Sequence, residues 1–330
     1  MDFIDQLLLF VALPVVVLIS LVEAVALSRR QHYDWRAAGV SVLDLLARVT
    51  IQIVLPLSIA TPLLQCAYRH RLTTIRFDAL EPGQAILLGA LVFIGQEFCY
   101  YWFHRASHRV RWFWANHAVH HSPNQLNLSA AYRIGVLSKF SGTALFFVPL
   151  VWLGFSPKLV FQLLQLNLLY QFWIHATWIP KLGWLEHVLN TPSSHRVHHA
   201  ANLQYLDGNY GGVLIVFDRL FGTYIPERDD LPCRYGLVKP LTDYNLLRIE
   251  FAQWGSLLGD VFRAKSLRSA VGYVLMPPGW RPADGSEGAG ETTEDMRRAA
   301  RDATAHRATV SGRTHRVRHR PQDAGAVTAD

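Results

Sequence analysis

An almost unbroken run of apolar residues occupies positions 7–27, close to the start of the chain. Such a run constrains the fold strongly, because an α-helix needs about 20 apolar residues to cross a bilayer. It is too long for the core of a signal peptide, and the basic Arg29 and Arg30 follow it instead of preceding it. The run therefore predicts a membrane helix, in which Pro14 is tolerated as a kink.

Further apolar runs lie at positions 49–68 and 84–103, and two more, at 140–155 and 159–179, are separated by a Ser-Pro pair. The last two predict a helical hairpin that dips into the membrane or crosses it. Basic residues gather between positions 28 and 48, which is typical of a cytoplasmic loop. We therefore expect an all-α integral membrane protein with four to five membrane helices.

The composition supports a membrane protein, since 51% of the 330 residues are hydrophobic and 17% are charged. The net charge is +7, and much of the arginine excess lies in loops and in the tail, which favours contact with an anionic membrane surface. No base-stacking or groove-reading motif points to nucleic acid. The three cysteines are scattered and form no CxxC pair, so any metal would be held by histidine.

Eight histidines fall into three clusters with helical spacing, which we call the first, second and third boxes. Residues i, i+3 and i+4 of a helix share one face, so each box directs its imidazoles into a common space. Neutral imidazole is a good ligand for zinc, copper, iron and nickel. We therefore expect a histidine-rich dimetal site in a helical cap on the cytosolic face of the membrane helices. The boxes are His104 and His108; His117, His120 and His121; and His195, His198 and His199.

Two other histidines are candidate ligands. His175 ends the apolar stretch YQFWIH, and we expect it to be a further ligand, because eight imidazoles leave two metal ions short of full coordination. The alternative is that it packs in the core. His187 is a lesser candidate.

Three polar residues could support the metal ligands. Glu97 lies on nearly the same helix face as the first box, where it could act near the metal or pair with an arginine. Asn209 and Asp218 could orient imidazoles by accepting the ring N–H that faces away from the metal. The alternatives are a turn at Asn209 and a surface ion pair between Asp218 and Arg219.

The pattern excludes two metal sites with well-known motifs. The chain has no His-Glu-x-x-His, which a zincin would need, and no Glu-x-x-His, which carboxylate-bridged di-iron bundles use. A histidine-bound iron pair that uses dioxygen to attack a lipid C–H bond is compatible with a membrane location. A membrane zinc hydrolase with a metal-bound water, and a non-catalytic protein that holds metal, remain open.

The segments HRASH, NHAVHHS and NTPSSHRVHH, in this order, resemble the fatty acid hydroxylase/sterol desaturase superfamily. The segments NLSAAYR, YQFWIHATWI and NYGGVLIVFDRLFGTY are similar to its branch of bacterial sterol-desaturase-like proteins and alkylglycerol monooxygenase. The resemblance covers about residues 85–280. Where that branch often has His and Gln, this chain has Ser194 and Ile134.

The resemblance implies a non-haem di-iron oxygenase that hydroxylates or desaturates a C–H bond of a sterol, fatty acyl or ether lipid. It would use two Fe²⁺ ions, O2 and an external reductant. Carried over by position, the iron ligands are the eight box histidines, with His175 matching a further histidine of the branch. It also implies the bacterial inner membrane, with the active site on the cytoplasmic side.

These expectations divide the chain into N-terminal membrane helices (1–82), a catalytic domain (83–280) and a disordered basic tail (281–330), in which His315 and His319 are solvated. Residues 241–276 predict an amphipathic helix on the membrane surface. The chain carries no flavin, nicotinamide or haem-binding motif. Electrons are therefore expected from a donor protein or a reduced pterin.

Overall fold

The computed structural model describes residues 3–30, 32–55 and 60–282. Over these residues the fold is helical, with two isolated β-bridges, at Leu189–Leu214 and Ala200–Tyr235, and no named strand. The predicted disordered tail, with His315 and His319, lies almost entirely outside the described residues. The α-helices are α1 (Phe3–Arg29), α2 (Trp35–Val54), α3 (Ala60–Arg69), α4 (Pro82–Arg109), α5 (Arg111–His120), α6 (Val148–Leu153), α7 (Pro157–Ile174), α8 (Pro192–His198), α9 (Val216–Leu220), α10 (Leu246–Arg263) and α11 (Leu267–Leu275).

Three helices of the described chain, α1, α2 and α4, are long and apolar enough to cross a membrane. The predicted range was four to five. In α1 the segment Leu7–Ala12 is π-helical and lies directly before Pro14. Proline lacks the N–H of the regular ladder and its ring collides with the carbonyl four residues earlier, so a wider turn at this point is its physical consequence.

The predicted span at 49–68 is wrong, because the second long helix begins earlier and ends earlier. Asp34 caps α2, and its carboxylate accepts the backbone N–H groups of Arg36 and Ala37. The helix ends before Leu55, since a residue that precedes proline is driven out of the helical conformation. Asp44, a charge that interrupts the apolar pattern of this helix, is fully buried.

The predicted hairpin at 140–155 and 159–179 is present with a shorter first arm. A 3₁₀ segment, Thr143–Phe147, leads into α6, and α7 follows after a sharp turn. Gly154 makes this turn at φ 122°, and an added Cβ would collide with the Thr73 carbonyl oxygen. Neither arm counts among the three long apolar helices.

Helices α4 and α5 form a corner at Val110, whose backbone is extended (φ −119°, ψ 119°). Behind this corner, α10 and α11 pack on α5 through Trp112, Trp254 and Tyr273. The predicted amphipathic segment is therefore two helices with a break between Arg263 and Leu267, instead of one.

A buried ion pair fixes α10 to α5. The Nη2 atom of Arg111 donates to Oδ2 of Asp260 at 2.6 Å, and both side chains are buried. Arg263 lies 3.1 Å from the other carboxylate oxygen but is itself exposed. Losing one partner of a buried pair strands the other charge away from water, so this pair makes the packing of α10 specific.

We predict that Arg111→Met destabilises the protein by about 3 kcal/mol, because the Asp260 carboxylate loses its buried partner. Thermal unfolding in detergent, followed by tryptophan fluorescence, measures this. The exposed Arg268 supplies the matched control, and Arg268→Met is expected to unfold at the wild-type temperature. Equal stability of the two variants would contradict the role given to the pair.

Candidate metal centre

The corner between α4 and α5, together with α8, brings the three histidine boxes to one place. All nine predicted ligands converge there in two adjacent groups, and within each group the nearest ring nitrogens lie within 4.8 Å of one another. The rings of His121 and His199, one from each group, stack at 4.4 Å. The first group is His104, His108, His117, His121 and His198, and the second is His120, His175, His195 and His199.

The second and third boxes are each divided between the two groups. His117 and His121, which are four residues apart, join the first group, while His120 joins the second. The third box does the reverse, since His195 and His199 join the second group and the intervening histidine joins the first. Residues i+3 and i+4 of a helix diverge by about 100°, so one short helix can face two centres.

The spacing of the ring nitrogens fits metal coordination. In the first group the Nε2 atom of His117 lies 3.0 Å from Nε2 of His104 and 3.3 Å from Nε2 of His121. In the second, Nε2 of His195 lies 3.2 Å from Nε2 of His175 and 3.0 Å from Nε2 of His199. Two nitrogens that bind one ion at about 2.1 Å and at right angles are about 3.0 Å apart.

Backbone carbonyls orient four of the rings. The Nδ1 atoms of His104, His120, His175 and His198 lie 2.8–3.0 Å from carbonyl oxygens of Tyr210, Arg133, Gln171 and Gly208, respectively. A carbonyl only accepts, so each Nδ1 carries the proton and each Nε2 keeps a free lone pair directed at the centre. In His108 and His198 the buried Nε2 has no hydrogen-bond partner among the described residues. A bound cation would satisfy these atoms.

Burial keeps the imidazoles uncharged. It lowers the pKa of His120 to about 4 and that of His175 to about 3. Burial and the neighbouring imidazoles lower the pKa values of five more ligand candidates well below the ordinary value of 6.5. Neutral imidazole is the form that binds metal, so the site is prepared for a cation at neutral pH. The five are His117, His121, His195, His198 and His199.

His187, the lesser candidate, is exposed on a short 3₁₀ segment and belongs to neither group. It therefore provides a matched control for substitutions of the clustered histidines.

Asp218 supports the centre through the backbone. Its Oδ1 atom accepts the N–H of Tyr210 at 2.8 Å, and its Oδ2 atom accepts that of Gly211 at 2.7 Å. The Tyr210 carbonyl in turn holds the His104 ring. Burial raises the pKa of Asp218 to about 6. The Asp218 carboxylate thus supports the His104 ring through the backbone at Tyr210, without contacting the ring itself. It does not form the ion pair with Arg219 that was the alternative prediction.

Asn209 and Glu97 also hold backbone segments instead of imidazoles. Asn209 adopts φ 58°, and its amide donates to the carbonyls of Ser194 and Ile225. Glu97 is buried on α4 and accepts the N–H groups of Val213 and Leu214, each at 2.8 Å. The Glu97 oxygens thus bond to this loop and to an amide of α7, and no histidine or arginine is among their hydrogen-bond partners in the described residues.

A second pair of buried carboxyls holds the segment that orients His120. Asp44 Oδ2 accepts the N–H of Ile134, and Glu250 Oε2 accepts that of Val136, each at 3.0 Å. Burial and the adjacent Asp44 raise the pKa of Glu250 to about 8, so it keeps a proton at neutral pH that the two carboxyls can share. Sequence patterns missed this pair, since the two residues are far apart in the chain.

A cavity of about 350 Å³ opens onto both histidine groups. Imidazoles of both groups line it, and α10 contributes Gln253 and Ser256 to its wall. Other lining residues are mainly apolar, as at Trp114, Leu206 and Leu237. A small apolar chamber beside a metal centre can hold a hydrocarbon segment and exclude water from it.

Comparison with known proteins shows what this region of the chain is similar to. Residues 89–223, from within α4 to just past α9, match the family model described as "Fatty acid hydroxylase". The predicted resemblance to this family is confirmed over these residues.

Several curated proteins are similar to this chain over the same region. The chain is 42% identical over 193 residues to "Alkylglycerol monooxygenase" of Danio rerio and 41% identical over 191 residues to that of Homo sapiens, matches that cover 58% of this chain and 42% of each relative. It is 29% identical over 139 residues to "Ornithine lipid hydroxylase OlsE" of Rhizobium tropici, covering 42% of this chain and 41% of that protein. The chain thus spans about two fifths of the length of these relatives. No solved structure gives a significant match.

We predict that the metal-free protein loses stability as the pH falls from 7 to 5. An unfolded histidine takes up a proton near pH 6.5, whereas the buried imidazoles resist it, so each favours unfolding by up to about 1.4 kcal/mol per pH unit in this range. The raised pKa values of Asp218 and Glu250 act in the opposite direction, but two groups oppose seven. Unfolding temperatures against pH measure the balance.

His120→Ala is expected to flatten this profile, because it removes one buried imidazole, while the exposed His187→Ala should leave it unchanged. A wild-type unfolding temperature that stays constant between pH 7 and 5 would show that the histidines titrate normally.

Proposed function

We propose that this chain is an integral membrane lipid monooxygenase whose two histidine groups each hold one iron ion. The observation that carries the proposal is the convergence of nine uncharged imidazoles in two adjacent groups beside an apolar cavity. The ligands would be the five histidines of the first group and the four of the second. The matching family and the names of the relatives support oxidative chemistry on lipids.

Bound iron would activate dioxygen. The protein would orient the iron ligands and shelter the site from water. The carbonyls of Tyr210, Arg133 and Gln171 keep three ring protons at Nδ1, so that the Nε2 atoms remain free to bind. A zinc hydrolase would also need a carboxylate base near the metal. Glu97 and Asp218 do not serve, because both are occupied by backbone N–H groups.

The substrate we propose is a glycerol ether lipid, with its alkyl chain in the cavity and the carbon next to the ether oxygen at the histidines. Similarity to the alkylglycerol monooxygenases of Danio rerio and Homo sapiens supports this class. One oxygen atom of O2 enters that C–H bond, and two electrons and two protons reduce the other atom to water. The resulting hemiacetal then breaks its C–O bond to give an aldehyde and an alcohol.

We further propose residues 83–280 as the catalytic unit, on the cytoplasmic side of a bacterial inner membrane. An external donor, either a small redox protein or a reduced pterin, would deliver the electrons. The basic loops and tail would contact anionic lipid. The three membrane-length helices support the membrane assignment.

Metal analysis of protein purified in detergent without chelators tests the metal assignment. We expect about two irons per chain, and a loss of most of this iron in the double variant His120→Ala, His121→Ala, which removes one ligand from each group. His187→Ala should retain the wild-type amount. One zinc per chain, or iron unchanged in the double variant, would refute the proposal.

Incubation of the reconstituted enzyme with an alkylglycerol, ¹⁸O2 and a chemical reductant tests the substrate. Mass spectrometry should find a fatty aldehyde that carries one ¹⁸O atom. If iron is present but the product is instead a hydroxylated or desaturated acyl chain or sterol, the substrate class is wrong and the oxygenase assignment stands.

We predict that Asp218→Asn lowers iron affinity about 10- to 100-fold, the usual effect of losing a partner that orients a ligand. Its amide cannot accept both the Tyr210 and Gly211 N–H groups, so the carbonyl that holds His104 shifts. Iron retention during titration with a chelator measures the effect. Asp229→Asn, at an exposed site paired with Lys181, is the matched control. Equal retention in the two variants would show that Asp218 only stabilises the fold.

A further inference from the structure

Helices α10 and α11 each expose an apolar face, and we call the two faces together the strip. On α10 the strip contains Leu247, Phe251, Leu258 and Phe262, and on α11 it contains Leu267, Val271 and Leu275. Spacings of four and seven residues place the members of each helix on one face. Phe262 and Leu267 are each 82% exposed, and Leu247 is 68% exposed, so nothing in the described chain covers them.

Exposed charge along these two helices is of one sign. Arg263, Lys265 and Arg268 are exposed, as is Arg248, which pairs with Asp243 just before α10, whereas the acidic residues within the two helices, Glu250 and Asp260, are buried. An apolar strip beside exposed basic side chains matches the chemistry of a bilayer interface, where acyl chains lie below anionic headgroups.

The other side of α10 faces the candidate metal centre. Gln253 and Ser256 line the cavity that opens onto the histidines, and Pro278 and Gly279, just after α11, line it too. Helix α10 therefore lies between the cavity and its own exposed apolar face. Both lie outside the segment 89–223 that matches the family model.

We propose that α10 and α11 lie in the interface of an anionic bilayer, with the apolar strip among the acyl chains and the basic side chains at the headgroups. In this position the pair of helices forms the wall past which a lipid passes from the bilayer to the cavity. The interfacial position follows from exposed surface and charge alone. The passage of substrate rests on the proposed function.

Depth-dependent quenching tests the interfacial position. An environment-sensitive fluorophore is attached to Phe262→Cys or Leu247→Cys in full-length protein in nanodiscs, after replacement of Cys66, Cys99 and Cys233. The control is Ala252→Cys, which is also exposed but points about 140° away from Leu247 around α10. Lipids that carry a nitroxide on the acyl chain should quench the two strip positions several-fold more than the control.

The competing occupants give different results. Equal quenching at strip and control positions would overturn the proposal. So would shielding that appears only when nanodiscs hold two or more chains, because a second copy would then cover the strip. Two strip positions are used, so that one poorly folded variant does not decide the outcome.

Charge is tested in the same system. Quenching at Leu247→Cys should rise when phosphatidylglycerol is added to phosphatidylcholine discs, and this rise should shrink when Arg263 and Arg268 are replaced by glutamine. No dependence on lipid charge would refute the role of the basic side chains. None of these readouts requires activity, so failure of the proposed function and failure of this inference are distinguishable.

Discussion

The structure depends on burying nine imidazoles without charging them. Burial lowers histidine pKa values, and a hydrogen bond from Nδ1 to a carbonyl decides which nitrogen stays free. Convergent lone pairs at 3.0–3.3 Å are unfavourable by themselves and become favourable around a cation. The surrounding helices and loops hold these rings together despite this repulsion. The expected consequence of burying uncharged imidazoles is a stability that depends on pH.

Buried carboxyls around the centre act on the backbone and leave the histidines to the metal. Asp218 holds the segment that orients His104, and the Asp44–Glu250 pair holds the segment that orients His120. In each case one peptide group lies between the carboxyl and the ring, so the carboxyl adds rigidity while the backbone carbonyl sets the tautomer. Acidic residues are thus buried near the centre but absent from both histidine groups.

The cavity joins the chemistry of the centre to the membrane character of the chain. Imidazoles line this cavity, and α10 forms part of its wall. The opposite face of α10 is apolar and exposed. The buried Arg111–Asp260 pair fixes α10 at this place. One helix thus contributes to the shape of the site and to the exposed apolar surface, and both roles require the packing of α10 on α5.

Spacing alone predicted eight of the nine histidines that the structure brings together, because residues that share one face of a short helix remain together wherever that helix packs. Length and hydropathy likewise determined that the chain is helical and carries membrane-length segments. Tertiary structure decided the rest. It divided the second and third boxes between two centres, since that depends on which helix faces each side. It buried Asp44 and placed the second long helix at Trp35–Val54 instead of the predicted 49–68. It also placed Asp44 beside Glu250 and bonded Glu97 to the backbone of a distant loop. Such contacts join residues far apart in the chain, so they leave no local sequence pattern.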